Sequence, residues 1–147
     1  MALPLQPAAL SSLVSKVMEA SCGLNFKPTG VSYKPVPPWR AVALQIHGGG
    51  TRTVAIGGDQ DACMAIASGL LQRPEKELDT QMVEESMLEL LNMVAGHIKR
   101  AMAIDVALGL PEIVSVEDIE QRMARGGQRA AVINERKMLT IWLTNQS

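Results

Sequence analysis

The sequence predicts an α/β sandwich in which long helices pack on a mainly antiparallel sheet. Helical and strand segments are interleaved along the chain, but the strands come in hairpin pairs, which favours antiparallel neighbours. One pair, Trp39–Ile46 and Arg52–Ile56, flanks a run of three glycines. The second pair, Ala130–Ile133 and Met138–Leu143, is joined by polar residues. A helix predicted from about Thr80 to Ala103 would extend over roughly 35 Å, the length of such a domain.

The first element expected is an amphipathic helix, and a marginal strand follows it. Pro7 suits the first turn of a helix, apolar residues recur at helical spacing as far as Cys22, and Gly23 can adopt the left-handed conformation that ends helices. Val31–Tyr33 is a candidate edge strand because it runs towards Pro35, and proline cannot donate a hydrogen bond to a sheet.

Residues that favour helix caps predict two shorter helices after the first hairpin. Asp59 can cap a helix that continues to about Leu71. Further along, Ile113–Val114 is expected to form a short strand. The segment Ser115–Asp118 then resembles a capping box for a small helix, which Gly126–Gly127 would stop.

Length and composition indicate a single domain over residues 1–147. Apolar residues make up 47% of the chain and charged residues 20%, so a core can form without disulfides or structural metals. The formal net charge of −1 provides no general attraction for nucleic acid, and no nucleic-acid partner is expected.

The sequence favours a cytoplasmic protein without a membrane anchor. No apolar run approaches the ~18 residues that a membrane span needs, and the N-terminal segment lacks the basic region of a signal peptide. Cys22 and Cys63 share no metal-ligand spacing and fit a reducing compartment. The two histidines, His47 and His97, fall in different predicted elements, so no metal or other cofactor of the protein's own is expected.

The long helix carries two stripes of residues at helical spacing. One is apolar, is expected to face the core, and comprises Val83, Met87, Leu90, Val94, Ile98 and Ala101. The other faces the opposite way and comprises Glu85, Glu89, Asn92, Gly96 and Lys99. Residues three apart stand about 5–6 Å from each other at Cβ, so Glu89 and Asn92 present two polar groups side by side. A glycine inside a helix costs about 1 kcal/mol relative to alanine, and Gly96 leaves room for another surface to approach.

Periodicity alone does not decide whether the polar stripe has a function. Exposed helices commonly carry Glu and Asn, so a solvated face with an incidental glycine is the more common explanation of such a pattern. The residues that surround the pair are more informative than the spacing.

Residues 89–96 resemble the Glu-x-x-Asn…Gly signature of the CheC/CheX/FliY phosphatases, with Glu89, Asn92 and Gly96 at its three positions. The residues around the signature, from Leu88 to Gly96, are similar to those of CheX-like domains. The order of elements is also similar: an amphipathic first helix, a glycine-turned hairpin, the long motif helix and a closing hairpin. The resemblance therefore covers essentially the whole chain.

The resemblance implies a protein aspartyl-phosphate phosphatase that dephosphorylates a phosphorylated CheY-like response regulator. Asn92 would position the attacking water, and Glu89 would pair with a lysine of the regulator and fix its docking. Mg²⁺ is expected on the regulator and not on this chain. A symmetric homodimer is expected, as in CheX-type members, and an uncovered edge at the terminal strands favours the same arrangement. The alternative is a non-catalytic CheX-like interaction domain that binds a response regulator or a flagellar-switch component.

Two departures from the family pattern concern docking rather than catalysis. The position four residues before Glu89, where the family tends to have Asp or Ser, is Glu85, and Pro111 follows the motif more closely than usual. CheC-type relatives carry a second motif, and Glu19–Gly23 resembles a decayed copy with Cys22 in place of Asn, although coincidence is the more common explanation of so short a similarity. One active site per chain is therefore expected.

Overall fold

The structure is a computed structural model that describes residues 5–29, 37–48, 50–105 and 107–145, and within them four α-helices lie on the two faces of one sheet. The helices are α1 Pro7–Cys22, α2 Gln60–Leu71, α3 Thr80–Ala101 and α4 Val116–Met123, with a 3₁₀ turn at Glu75–Glu77. The strands are β1 Lys27–Pro28, β2 Arg40–His47, β3 Thr51–Gly58, β4 Glu112–Val114, β5 Gly127–Asn134 and β6 Lys137–Thr144.

All strand pairs of the sheet are antiparallel, in the order β1-β5-β6-β3-β2-β4. The hairpin β2–β3 is paired along its full length, from Arg40 opposite Gly58 to His47 opposite Thr51. The closing hairpin β5–β6 turns at Glu135, whose φ of 56° is left-handed. β6 also pairs with β3 and therefore lies inside the sheet. The predicted fold class, helices on a mainly antiparallel sheet, is confirmed.

Side chains alternate across the sheet and build two cores of unequal size. Towards α1, α2 and α3 the central strands contribute Val42, Leu44, Ile46, Val54, Ile56, Leu139, Ile141 and Leu143. Towards α4 the same strands contribute Ala41, Ala43, Ala55 and Trp142, which pack with Ile119. Because the residues on this second face are mostly small, one short helix can cover its centre.

Capping residues predicted from the sequence set several of the helix ends. The backbone N–H of Ala62 donates to the Asp59 carboxylate at 2.8 Å, which starts α2. The N–H of Asp118 donates to the Ser115 hydroxyl at 3.1 Å, which starts α4. Gly23, with φ 67°, ends α1 in the left-handed conformation.

The structure corrects some boundaries and leaves one strand untested. α3 ends at Ala101, two residues before the predicted end, because Ala103 adopts a left-handed φ of 55°. Ala101 is exposed and does not belong to the core stripe. α4 ends at Met123, before the glycines, and Gly127 already belongs to β5. The predicted strand Val31–Tyr33 lies outside the described residues, and β1 was not predicted.

Among the described residues, the strands at the edges of the sheet are its two shortest. β1 has two residues and pairs with part of β5, and β4 has three residues and pairs with β2. The expectation that the terminal strands leave an open edge is wrong for β6, which is paired on both sides. Beside the β4 edge, Leu110 is 91% exposed and Ile113 is 49% exposed.

Two helical glycines provide a matched test of how the helices pack. A Cβ at Gly69 in α2 would collide with the carbonyl oxygen of Cys22 at the end of α1, whereas a Cβ at Gly96 in α3 would meet nothing within 4 Å. We expect Gly69→Ala to lower the free energy of unfolding by about 1–3 kcal/mol. Gly96→Ala should raise it by about 0.5–1 kcal/mol, because alanine is the better helix former. Urea unfolding measures both, and a Gly69→Ala variant as stable as the parent would contradict the packing of α1 on α2.

Candidate functional site

The candidate site lies on α3, a helix that is held firmly against the rest of the domain. The Asp79 carboxylate accepts a hydrogen bond of 2.8 Å from the backbone N–H of Met82, which caps its first turn. Its buried residues, Val83, Ser86, Met87, Leu90, Leu91, Val94, Ala95 and Ile98, pack against α1, α2 and the β2–β3 hairpin. Five of the six residues predicted for the core stripe are among them. The packing of these residues therefore fixes the position of α3 and directs its outer face to solvent.

Glu89 and Asn92 are both exposed on the outer face of α3, as predicted. Glu85 is also exposed, whereas Gly96 and Lys99 are partly buried. Within the described part of the chain, neither Glu89 nor Asn92 makes a hydrogen bond or an ion pair with another residue. The two polar groups are thus available to a group from outside the domain.

The other two carboxylates of α3 have partners within the domain. Glu84 pairs with Arg40 of β2 at 2.9 Å, and the Arg40 guanidinium stacks 4.2 Å from the centre of the Trp39 ring. Glu85 accepts a hydrogen bond of 3.1 Å from the side-chain amide of Gln81. Glu84 therefore ties α3 to the sheet, which leaves Glu89 as the unengaged acid next to Asn92.

Because Gly96 has no side chain, it leaves space at the helix surface beyond Asn92. It lies one turn after Asn92, it is partly buried, and no heavy atom lies within 4 Å of the position that a Cβ would occupy. A larger side chain would project from the surface there. The glycine thus leaves a flat approach to Asn92 along the helix.

An open groove of about 480 Å³ runs beside Glu89, between the end of α2 and the first turns of α3. Its lining residues are Leu70, Leu71, Met82, Glu85, Ser86, Glu89 and Met93. The groove is apolar at its α2 wall and carries two carboxylates at its α3 rim. The groove is not among the features predicted from the sequence, because it exists only once α2 packs against α3; the adjacent Leu70 and Leu71 at the end of α2 are its local signal.

The site combines an amide with a carboxylate, and the Ser86 hydroxyl of the adjoining groove is engaged, since it donates to the Met82 carbonyl oxygen at 2.9 Å. The Asn92 amide can donate and accept a hydrogen bond but does not ionise near neutral pH, so it can orient a small polar molecule without transferring a proton. The exposed Glu89 carboxylate can accept hydrogen bonds from a cationic group of a partner. Within the described residues no group of three or more His, Cys, Asp or Glu side chains is placed to hold a metal ion. The chemistry available is positioning and docking.

The segment that resembles a second motif does not form a second site. In α1, Glu19 is exposed but Cys22 is buried in the core, and Gly23 lies beyond the end of the helix. Burial raises the pKa of the Cys22 thiol to about 11. For Cys63, burial is the main cause and the nearby Asp59 charge adds to it, and together they raise the pKa to about 12. Both thiols are structural residues of the core.

No helix among the described residues is long and apolar enough to cross a bilayer.

A family model described as chemotaxis phosphatase CheX matches residues 40–134. Among solved structures, the chain is similar to the chemotaxis protein CheX from Vibrio vulnificus, with 16% identity and a TM-score of 0.69 over 92% of each chain. It is similar to CheX from Desulfovibrio desulfuricans, with 12% identity and a TM-score of 0.69 over 91% of this chain and 94% of that one. It is also similar to a CheX–CheY–BeF₃–Mg²⁺ complex from Borrelia burgdorferi, with 14% identity and a TM-score of 0.69 over 94% of this chain and 96% of that one. No curated protein matches the chain.

Proposed function

Because the chain belongs to the chemotaxis phosphatase CheX family, we propose that it hydrolyses the aspartyl phosphate of a CheY-like response regulator. The observation that carries this proposal is the exposed pair Glu89 and Asn92, which has no partner within the described part of the domain and lies on a firmly packed helix. The similar protein from Borrelia burgdorferi forms a complex with CheY, BeF₃ and Mg²⁺, which supports a regulator as the partner.

In the proposed reaction a water molecule attacks the phosphorus, and the bond from phosphorus to the aspartate oxygen breaks. The regulator recovers its carboxylate, and inorganic phosphate leaves. The Asn92 carbonyl oxygen would accept a hydrogen bond from the water, and its NH₂ group would donate to a phosphoryl oxygen, so that the water is held in line with the leaving carboxylate. The acceleration then comes from geometry and preorganised dipoles, not from an acid or base of this chain. Mg²⁺ bound to the regulator would neutralise charge on the phosphoryl group.

Glu89 would fix the position of the regulator on α3. Its carboxylate suits a lysine of the partner, and the groove beside it offers apolar surface at Leu71 and Met93 for the residues that flank such a lysine. We therefore expect the regulator to present a basic side chain next to an apolar one at this contact. Gly96 would let the regulator approach Asn92 closely enough to share a water molecule.

The protein would act in the cytoplasm as a homodimer joined along the β4 edge. Ile113 in the three-residue edge strand β4 and Leu110 just before it are large apolar side chains that remain exposed, and unpaired strand edges favour association with a second copy. This edge lies at one end of the sheet, where β4 pairs with β2.

The role of Asn92 predicts a loss of rate without a loss of binding. Asn92→Ala should lower kcat by roughly 10²–10³-fold and leave KM nearly unchanged, because the amide acts in the transition state. The measurement is phosphate release from an acetyl-phosphate-loaded regulator. His97→Ala, an exposed change elsewhere on α3, is the control and should retain the parent rate. An Asn92→Ala variant as fast as the parent would refute the mechanism. If the parent itself binds regulators but accelerates none, the interaction-domain alternative replaces the enzyme.

The role of Glu89 predicts weaker docking that depends on salt. Glu89→Ala should raise KM about threefold to fivefold at low ionic strength, the usual value of an exposed ion pair. The difference from the parent should shrink as salt is added, because screening weakens the contact in the parent alone. Glu120→Ala removes the same charge from α4 on the opposite face of the sheet and should change neither parameter. If Glu89→Ala and Glu120→Ala raise KM equally, the change comes from the net charge of the protein and not from a contact at Glu89.

If the proposed dimer forms, light scattering at micromolar concentration should give a molecular mass twice that of one chain. Ile113→Lys should shift the mass to that of one chain, because it places a charge in the contact along β4. Leu71→Lys makes the same change at another exposed apolar position, beside α3, and should remain dimeric. A parent protein of single-chain mass would rule out the dimer.

A further inference from the structure

A second cavity, of about 390 Å³, lies on the α4 side of the sheet, between α4 and the ends of β2, β3 and β6. All nine of its described lining residues are polar or charged. Three are threonines, three carry side-chain amides, two are arginines and one is an aspartate. Residues of four separate elements converge here, so no local segment of the sequence predicts the cavity.

Two buried threonines in this cavity each accept a hydrogen bond at the hydroxyl oxygen, which leaves the hydroxyl proton available to a ligand. The Thr144 hydroxyl oxygen accepts a hydrogen bond of 2.8 Å from the backbone N–H of Thr53. The Thr53 hydroxyl oxygen accepts a hydrogen bond of 3.5 Å from the Arg122 guanidinium. Each of the two residues is only 7% exposed, and neither hydroxyl donates to an acceptor within the described part of the chain. A buried hydroxyl proton without an acceptor is unfavourable, so a ligand that supplies acceptors would be stabilised.

Two arginines line the cavity, and only one of them is paired with carboxylates within the described residues. Arg122 is held by the Asp118 carboxylate at 2.8 and 3.3 Å and by Glu112 at 3.5 Å, so its charge is compensated. Both Asp118 oxygens are engaged by Arg122 and do not compete for a second cation. Arg125 is exposed and makes no hydrogen bond or ion pair within the described residues. Its guanidinium is therefore available for a direct contact with a ligand at the rim of the cavity.

From these features we propose that the cavity binds the phosphate group of a small phosphorylated molecule. The oxygens would accept hydrogen bonds from the Thr53 and Thr144 hydroxyls inside the cavity and from Arg125 at its rim. The cavity is larger than one phosphate group, so its remaining volume and its side-chain amides, such as that of Gln121, suit a polar group esterified to the phosphate. This site is independent of the proposed phosphatase function.

The cavity and the Glu89/Asn92 pair lie on opposite faces of the sheet. Thr53 lies on the same side of β3 as Ala55, which packs towards α4, whereas Val54 and Ile56 pack towards α3. A ligand in the cavity would therefore leave the outer face of α3 free. Binding at the two places can be measured separately on the same folded protein.

The test is an amide chemical-shift titration of the whole protein with inorganic phosphate, in which chloride is exchanged for phosphate at constant ionic strength. We expect saturable shifts of the Thr53, Gln121 and Thr144 signals. Arg125→Gln should weaken phosphate binding about tenfold, the loss expected for one charge-assisted contact. Arg136→Gln removes the same charge from the far end of β6, at the β5–β6 turn, and should leave the dissociation constant unchanged. Both arginines are exposed, so both variants should fold.

Three outcomes would overturn the proposal. Shifts that increase linearly without saturation would show that phosphate has no defined site. Equal weakening by Arg125→Gln and Arg136→Gln would show a response to net charge alone. Acetate that binds as tightly as phosphate, with the same dependence on Arg125, would assign the cavity to carboxylates instead.

Discussion

The packing of one face of α3 against the β2–β3 hairpin is the contact on which the proposed site depends. Val83, Leu90 and Val94 are fully buried, and their burial fixes the rotation of the helix about its axis. Since residues three and four apart share a face, a buried stripe on one side determines which residues point outwards on the other. The display of Glu89 and Asn92 is therefore a consequence of hydrophobic burial and needs no hydrogen bond of their own.

The two faces of the sheet differ in their residues and in the helices that cover them. The face towards α1, α2 and α3 carries branched and long apolar residues and supplies most of the core. The opposite face carries alanines, threonines and one tryptophan under a single eight-residue helix. A thin cover over small residues leaves room at its margins, which is where the polar cavity beside Arg122 lies. Stability is thus concentrated on the first face, and the second retains accessible polar surface.

The parts of the structure that could be predicted from the sequence are those with local causes. Asp59, Ser115 and Gly23 act on backbone groups within a few residues, and the apolar spacing of α3 exposes Glu89 and Asn92 without knowledge of its neighbours. The early end of α3 depends on the left-handed conformation of Ala103, an alanine that carries no signal for it.

Features that depend on distant segments could not be predicted in this way. β1 pairs with β5 across about a hundred residues and contains a proline, so no strand pattern marks it. The groove requires α2 beside α3, and the polar cavity requires four elements together. The roles proposed for Glu89 and Asn92 rest on a motif and on family membership, since exposure alone is common to many polar helix residues.

The position of β6 inside the sheet has a consequence for how the chain folds. The hairpin β2–β3 and the helices α2 and α3 are consecutive and can form early, but β3 keeps an unpaired apolar edge until residues 137–144 arrive. Contacts between segments so far apart in sequence form slowly, because a long loop must close first. During synthesis the helical layer would therefore pack on an incomplete sheet, and aggregation through the β3 edge competes with folding until β6 is added.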